Sequence, residues 1–137
     1  MRPPSDFSFS KCVMKSGMIW DEVERAGLSG VAGVWVHEFG GARMFNVIAI
    51  KQAYPGHARQ AGFLAASCQS GSYLGRFVTV VDEDVDPSDL FDTMWAICTR
   101  CVQSGGQKTG LHDITCGSEA GLQARRLLTQ TLHALLG

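Results

Sequence analysis

The sequence predicts a single α/β domain in which a mixed β-sheet is packed by helices. The chain has 137 residues, and β-branched and aromatic runs of strand length alternate along it with segments of helical apolar spacing. Hydrophobic residues make up 45% of the chain and charged residues 18%, so a core can be buried while the surface stays poor in charge. A surface of that kind often meets a partner.

Charge and cysteine content exclude several classes of protein. Lys and Arg number 12 against 13 Asp and Glu, so we expect no nucleic-acid partner. We also expect no membrane association, because no run approaches the roughly 20 apolar residues of a span. The first residues lack the apolar core of a signal peptide, which predicts a cytoplasmic protein. Its five cysteines are then thiols rather than disulfides.

The first part of the chain predicts a helix followed by two strands. Residues 18–26 have helix-forming character and stop at Gly27, a usual residue after a helix end. The β-branched and aromatic runs at 34–36 and 45–50 flank a pair of glycines. We therefore expect these two strands to pair in antiparallel fashion.

The middle of the chain predicts an alternation of helix and strand. Small residues recur at helical spacing from 57 to 70, and such a face lets a helix lie close to a sheet. The nearly continuous apolar run at 77–81 is typical of a central strand covered on both faces. A helix is expected over 88–101, with Asp86 as its N-cap and Pro87 at its first position.

The last part of the chain predicts a short strand near 113–115 and a helix over 118–136. Leucines recur along that helix at the spacing of one face. Ser118 and Glu119 suit its N-terminus.

Two groups of residues have the chemistry of metal ligands. Cys98, Cys101, His112 and Cys116 have a spacing like that of a zinc site. The alternative, which we favour, is that both Cys98 and Cys101 are small buried hydrophobes. They would lie on one apolar stripe of the 88–101 helix, together with Leu90, Phe91, Met94 and Trp95. A redox dithiol is disfavoured because it would begin a helix rather than end one.

The acidic run at 82–86 follows a predicted central strand, where open α/β sheets place ligands, and its oxygens would suit magnesium. Helix capping and solvated carboxylates explain the run better. His37-Glu38 lacks the second histidine of a metalloprotease motif, so a satisfied turn histidine is the better interpretation. We assign no metal ligand.

A third group has the chemistry of an anion site. Lys51 and Arg59 lie on either side of the predicted helix start at Gly56-His57. A helix N-terminus with a basic side chain readily binds phosphate or carboxylate. The alternative is that both side chains are simply solvated.

Four segments resemble one known family. They are GVAGVWVHEFGG at 30–41, IAIKQAYPGHARQAG at 48–62, GRFVTVVDEDVDPSDL at 75–90 and WAICTRC at 95–101. Over residues 17–101 the chain is similar to the C-terminal domain of UbiD-type decarboxylases. Residues 102–137 diverge from the family, as a tail that ends in the predicted amphipathic helix.

The resemblance implies a fold, a cofactor and a reaction. Family enzymes use prenylated FMN as a covalent electron sink in the reversible, non-oxidative decarboxylation of aromatic or α,β-unsaturated acids. The family lysine that is directed at the cofactor phosphate matches Arg59, which keeps the charge and can bind phosphate through two N–H groups. The catalytic and metal-binding residues of the family lie in an N-terminal region without a counterpart here, so we assign no catalytic residue.

We therefore expect a partial or accessory component of a UbiD-type decarboxylase or carboxylase, inactive by itself. Its partner would be a second copy or a larger UbiD-type subunit. The alternative is a non-catalytic interaction module that keeps the fold without flavin and associates through its terminal leucine stripe. A complete small decarboxylase would need a proton donor and a flavin pocket from this one short chain.

Overall fold

A computed structural model describes residues 5–73, 75–102 and 112–116. Within these residues the strands are β1 Val31–Val36, β2 Phe45–Ile50, β3 Phe77–Asp82, β4 Cys101–Val102 and β5 His112–Cys116. The helices in the same part of the chain are α1 Asp6–Arg25, α2 His57–Ser67, α3 Gln69–Ser72 and α4 Leu90–Arg100, with a 3-10 turn at Glu38–Gly40. None of the helices described is both long and apolar enough to cross a membrane.

The strands form one mixed sheet, which confirms the predicted fold class. Their order across the described part of the sheet is β1-β2-β3-β5-β4. The β1–β2 and β4–β5 pairs are antiparallel, whereas β2–β3 and β3–β5 are parallel. β3 is central, as its continuous apolar run predicts, and β2 has the predicted bounds. The strand expected at 113–115 lies within β5, while the helix expected at 118–136 lies outside the described residues.

Both faces of the sheet are packed with apolar side chains. Side chains alternate between the faces along each strand, so the apolar runs of β2 and β3 contribute to both cores. The first core joins the sheet to α1 and α2 through Ile19, Val23, Val34, Val36, Ile48, Ile50, Ala58, Ala61, Ala65, Val78 and Val80. The second core joins it to α4 through Val47, Ala49, Val81, Val85 and Ala96.

The small face predicted for the 57–70 helix is confirmed, but the helix is shorter. Ala58, Ala61, Gly62 and Ala65 are the small residues that α2 buries. α2 ends at Ser67, because Cys68 is extended and its Sγ accepts the N–H of Gly71 at 3.3 Å. This bond starts the separate helix α3.

The first helix begins earlier than residue 18, so the predicted start was wrong. Ser5 is the N-cap of α1, and its Oγ accepts the N–H of Ser8 at 3.4 Å. A capping serine satisfies one of the free N–H groups of the first turn. The start at Asp6 was missed because residues 6–17 carry apolar side chains on two faces and show no single helical stripe.

The end of α1 is as predicted. Gly27 has a φ of +92°, which glycine adopts without strain. Its N–H donates to the Glu24 carbonyl at 2.9 Å, and that of Leu28 donates to the Val23 carbonyl at 3.3 Å. This is a Schellman motif, and both Leu28 and Val23 are buried in the first core.

The start of α4 differs from the prediction. Asp89, not Asp86, caps the helix: its Oδ1 accepts the N–H groups of Phe91 at 2.8 Å and Asp92 at 3.4 Å. Asp86 instead accepts the backbone N–H of Ser88 at 2.8 Å. Because this local turn occupies the Asp-Pro-Ser segment, α4 begins only at Leu90.

The predicted buried stripe of α4 was also wrong. The helix buries Thr93 and Ala96, whereas Phe91, Met94, Trp95 and Cys98 are the members of the stripe that are exposed. The alanine lets α4 lie close to the second core. The larger side chains therefore face outward.

A buried serine satisfies the backbone of the edge strand β1. Ser16 of α1 accepts the N–H of Val36 at 2.9 Å and donates to the Cys12 carbonyl at 2.7 Å. Ser16 and Val36 are both buried, so water cannot easily replace this bond. The contact therefore joins α1 to strand β1.

Replacing Ser16 by alanine should lower the free energy of unfolding by about 1–3 kcal/mol, because the Val36 N–H is left buried without an acceptor. Urea unfolding monitored by circular dichroism measures the change. Ser10→Ala is the matched control, since its exposed hydroxyl donates to the Asp6 carbonyl of the same helix. If Ser16→Ala and Ser10→Ala lower the free energy of unfolding equally, the bond between Ser16 and the Val36 N–H does not stabilise the fold as proposed.

Candidate functional site

The carboxyl ends of the parallel strands β2 and β3 meet at one edge of the sheet. Open α/β sheets bind ligands at this edge. Lys51 directly follows β2, and Arg59 lies in the first turn of α2. The structure therefore brings the two basic residues of the predicted anion site to the same edge.

A tight turn places the start of α2. Gly56 has a φ of +88°, and the His57 N–H donates to the Tyr54 carbonyl at 3.2 Å. The N–H of Ala53 donates to Nδ1 of the buried His57 at 3.2 Å. The Tyr54 ring stacks on the imidazole with centroids 4.5 Å apart, and its hydroxyl donates to Gln60 Oε1. These contacts fix the direction in which the helix begins.

The first turn of α2 is electropositive. Arg59 and Lys51 are exposed, and the first turn contains no acidic residue. The N-cap is Gly56, which has no side chain to bond the free N–H groups of that turn. Those groups carry partial positive charge at the end of the helix dipole. Together with a guanidinium fork, they fit a phosphate group.

Sequence reasoning missed the need for glycine at position 30. Gly30 has a φ of +79°, and its carbonyl accepts the Lys51 N–H at 2.7 Å. A Cβ at this position would lie 2.9 Å from the Lys51 carbonyl oxygen. The backbone of Gly30 thus lies directly against the residue that follows β2. Only this contact between distant parts of the chain reveals the requirement.

The zinc-like spacing is spread over the end of α4, β4 and β5. His112 and Cys116 lie at opposite ends of β5, about 13 Å apart along the backbone at strand spacing. The strand register instead places Cys101 opposite Cys116 across the β4–β5 pair. Cys98 is an exposed thiol near the end of α4. Among the described residues, no group of three or more His, Cys, Asp or Glu is placed to hold a metal.

The acidic run after β3 has structural partners. Asp84 pairs with Arg100 at 2.7 Å, and Arg100 also lies 5.0 Å from the centroid of the Trp95 ring. Hydrogen bonds from the side chain and backbone of Ser88 hold the pKa of the Asp86 carboxyl below its usual value. Asp84 thus pairs with the last residue of α4 and Asp86 holds the turn before the helix, although the cap expected at Asp86 is Asp89.

His37 precedes the 3-10 turn, as predicted for a turn histidine, but its ring is not fully satisfied by the described residues. Its ring is buried and stacks on Phe45 with centroids 5.1 Å apart. Its Nε2 has no hydrogen-bond partner among the described residues. Burial lowers the pKa of His37, and Glu38, a hydrogen bond to the Pro87 backbone and Asp89 oppose the shift only in part.

The free energy of unfolding should therefore fall as the pH drops below about 6.5, the usual pKa of an unfolded histidine. The unfolded chain takes up a proton there before folded His37 does. Urea unfolding at several pH values between neutrality and the acid range measures the slope. His37→Gln cannot ionise and should flatten the slope. The same slope in both proteins would show that His37 does not contribute to it.

Comparison with known families identifies the domain. The family model of the 3-octaprenyl-4-hydroxybenzoate carboxy-lyase C-terminal domain matches residues 9–104. The match covers more than half of the chain and includes β1, α2, β3 and α4. The chain belongs to this UbiD family, which confirms the resemblance found in the sequence.

Solved UbiD-class structures share the fold. An evolved dimeric form of the UbiD-class enzyme HmfF from Pelotomaculum thermopropionicum, in complex with prFMN, matches with a TM-score of 0.62 and 24% identity over 76% of this chain and 24% of its own. Vanillic acid decarboxylase from Sedimentibacter hydroxybenzoicus matches with a TM-score of 0.65 and 22% identity over 85% of this chain and 28% of its own. The 3,4-dihydroxybenzoic acid decarboxylase AroY from Klebsiella pneumoniae matches with a TM-score of 0.56 and 32% identity over 66% of this chain. This chain therefore spans between 18% and 28% of the length of these enzymes.

Proposed function

We propose that the chain is a partial or accessory component of a UbiD-type decarboxylase or carboxylase, and that Arg59 helps to hold the phosphate of prenylated FMN. The reaction would be the non-oxidative decarboxylation of an aromatic or α,β-unsaturated acid. Family membership supports this proposal, and the related HmfF structures contain prFMN or FMN. The rest of the flavin pocket and the proton donor would come from a larger UbiD-type subunit.

The first turn of α2 is the observation that carries the proposal. A phosphate placed there would accept hydrogen bonds from the free backbone N–H groups, which Gly56 leaves without a side-chain cap. Arg59 could bind two phosphate oxygens through its guanidinium fork, and Lys51 adds a second positive charge at the same edge. When bound, prenylated FMN supplies the electron sink for the chemistry. The residues of this chain would bind and orient it.

A non-catalytic interaction module is the second candidate. The observation that favours it is the number of large apolar side chains exposed on α1 and α4, among them Phe7, Met14, Phe91 and Trp95. Exposed apolar patches mark surfaces that meet other proteins. This candidate retains the fold and needs no flavin.

Arg59→Ala should weaken FMN binding by the assembled complex about tenfold or more, since a hydrogen-bonded phosphate contact to a charged group contributes about 1.5–3 kcal/mol. Riboflavin lacks the phosphate, so the Arg59→Ala complex should bind riboflavin as tightly as the unaltered complex does. Flavin fluorescence titrations measure both dissociation constants.

Two variants make this test specific. Arg59→Lys keeps the charge and should retain part of the FMN affinity. Arg76→Ala removes an exposed arginine just before β3, at the opposite edge of the sheet, and should change neither constant. An unchanged FMN affinity in folded Arg59→Ala protein would rule out the phosphate assignment and favour the interaction module.

A further inference from the structure

α1 is apolar on two opposite faces. Cys12, Ile19 and Val23 of one face are buried against the sheet. On the opposite face, Phe7 is 68% exposed, Met14 69% and Met18 53%. A helix on the surface of a soluble domain normally presents polar residues outward. No other described part of the chain covers these three large apolar side chains, which lie in line on the outer face. They therefore indicate a surface for docking.

The outer face has the spacing of a helix that pairs with another helix. Positions 7, 11, 14, 18, 21 and 25 follow one another by alternating steps of four and three residues. This is the spacing of the contact positions in paired helices. We call these positions the α1 outer stripe: Phe7, Lys11, Met14, Met18, Asp21 and Arg25.

We propose that the α1 outer stripe is a docking surface for a second copy of this chain, whose α1 packs against it in antiparallel orientation. The two-fold axis crosses the outer face of the helix at the level of residue 16. Met14 of each copy then meets Met18 of the other. On either side, Lys11 meets Asp21, and further out Phe7 meets Arg25. A two-fold axis makes each contact twice.

The charges on the stripe support this orientation. In antiparallel register about Ser16, each Lys11 faces an Asp21, and each Arg25 guanidinium can lie over a Phe7 ring. A parallel pairing would set Lys11 against Lys11 and Asp21 against Asp21, which repel. An antiparallel register shifted toward the N-terminus would leave Asp21 and Arg25 outside the contact. Of these three arrangements, only the antiparallel pairing about Ser16 gives every residue of the stripe a complementary partner.

The contacts that these charges make within one chain do not compete strongly with the pairing. Lys11 Nζ lies 4.3 Å from the centroid of the Phe7 ring. Arg25 pairs with Asp21 at 2.7 Å, and both side chains are largely exposed. Exposed ion pairs of this kind stabilise a helix little, so they can rearrange.

The outer face of α4 lacks such self-complementarity. It exposes Phe91, Met94 and Trp95, and Asp92 is the exposed acidic residue between them. Two copies of this face would bring the Asp92 carboxylates together, and the nearby cation, Arg100, is half-buried and pairs with Asp84 at 2.7 Å. It therefore serves as the control surface. The proposal does not depend on flavin binding, so its failure would leave the Arg59 assignment unaffected.

Sedimentation velocity of the full 137-residue chain over a range of concentrations tests the proposal. The unaltered chain should dimerise. Lys11→Glu sets two carboxylates against each other at both ends of the stripe and should raise the dissociation constant about tenfold or more. Adding Asp21→Lys in the same chain restores opposite charges and should return the constant to within about threefold of the original.

Phe91→Ser is the matched control, because it removes an exposed aromatic side chain from α4 and should leave the dissociation constant unchanged. Circular dichroism checks that each variant is folded. A chain that stays monomeric at every concentration would overturn the proposal. A dimer that Phe91→Ser weakens and Lys11→Glu does not would also overturn it. So would a double variant whose dissociation constant stays as high as that of Lys11→Glu alone.

Discussion

The close approach of α2 to β2 and β3 is the contact on which the geometry of the candidate site depends. Ala58, Ala61 and Ala65 are buried against the sheet together with Gly62, so no large side chain separates the helix from the strands. Close packing of this kind fixes a helix in position because the interior cannot easily deform. The start of α2 is thereby held beside the end of β2, where Lys51 and Arg59 share one edge.

The turn between β2 and α2 depends on this packing. His57 is buried at the first position of the helix, and Tyr54 covers its ring. Gly30 holds the other side of the turn through the Lys51 backbone. Each of these contacts is local in space, but together they join three separate parts of the chain. The sheet, the helix and the entry to β1 all contact the same few residues, and these contacts position the start of α2.

Sequence reasoning succeeded where one local signal decides the structure. The runs of β2 and β3 are apolar at almost every position, so their strand character and central place were predictable. The end of α1 at Gly27 was predictable because glycine adopts a positive φ there. Arg59 was predicted to lie beside a helix start, and the structure places it in the first turn of α2, whereas its role toward a phosphate stays a prediction.

Sequence reasoning failed where an apolar side chain faces outward. The pattern of α4 shows an apolar stripe with Phe91 and Trp95, but hydrophobicity alone does not say which side of a helix meets the sheet. In the structure the small residue Ala96 lies in the second core, and the larger Phe91 and Trp95 lie outside it. The first turns of α1 were missed for a similar reason, because their apolar side chains lie on two faces of the helix. Gly30 could not be found because its requirement comes from Lys51, a residue distant in sequence.

Native mass spectrometry of the protein purified from its own cells tests the central claim most directly, that the chain works as part of a UbiD-type enzyme. It reads the subunit composition and the bound small molecules in one experiment. The account predicts a complex that contains a larger UbiD-type subunit and one flavin phosphate for each assembled site. A flavin-free assembly made of this chain alone would contradict it.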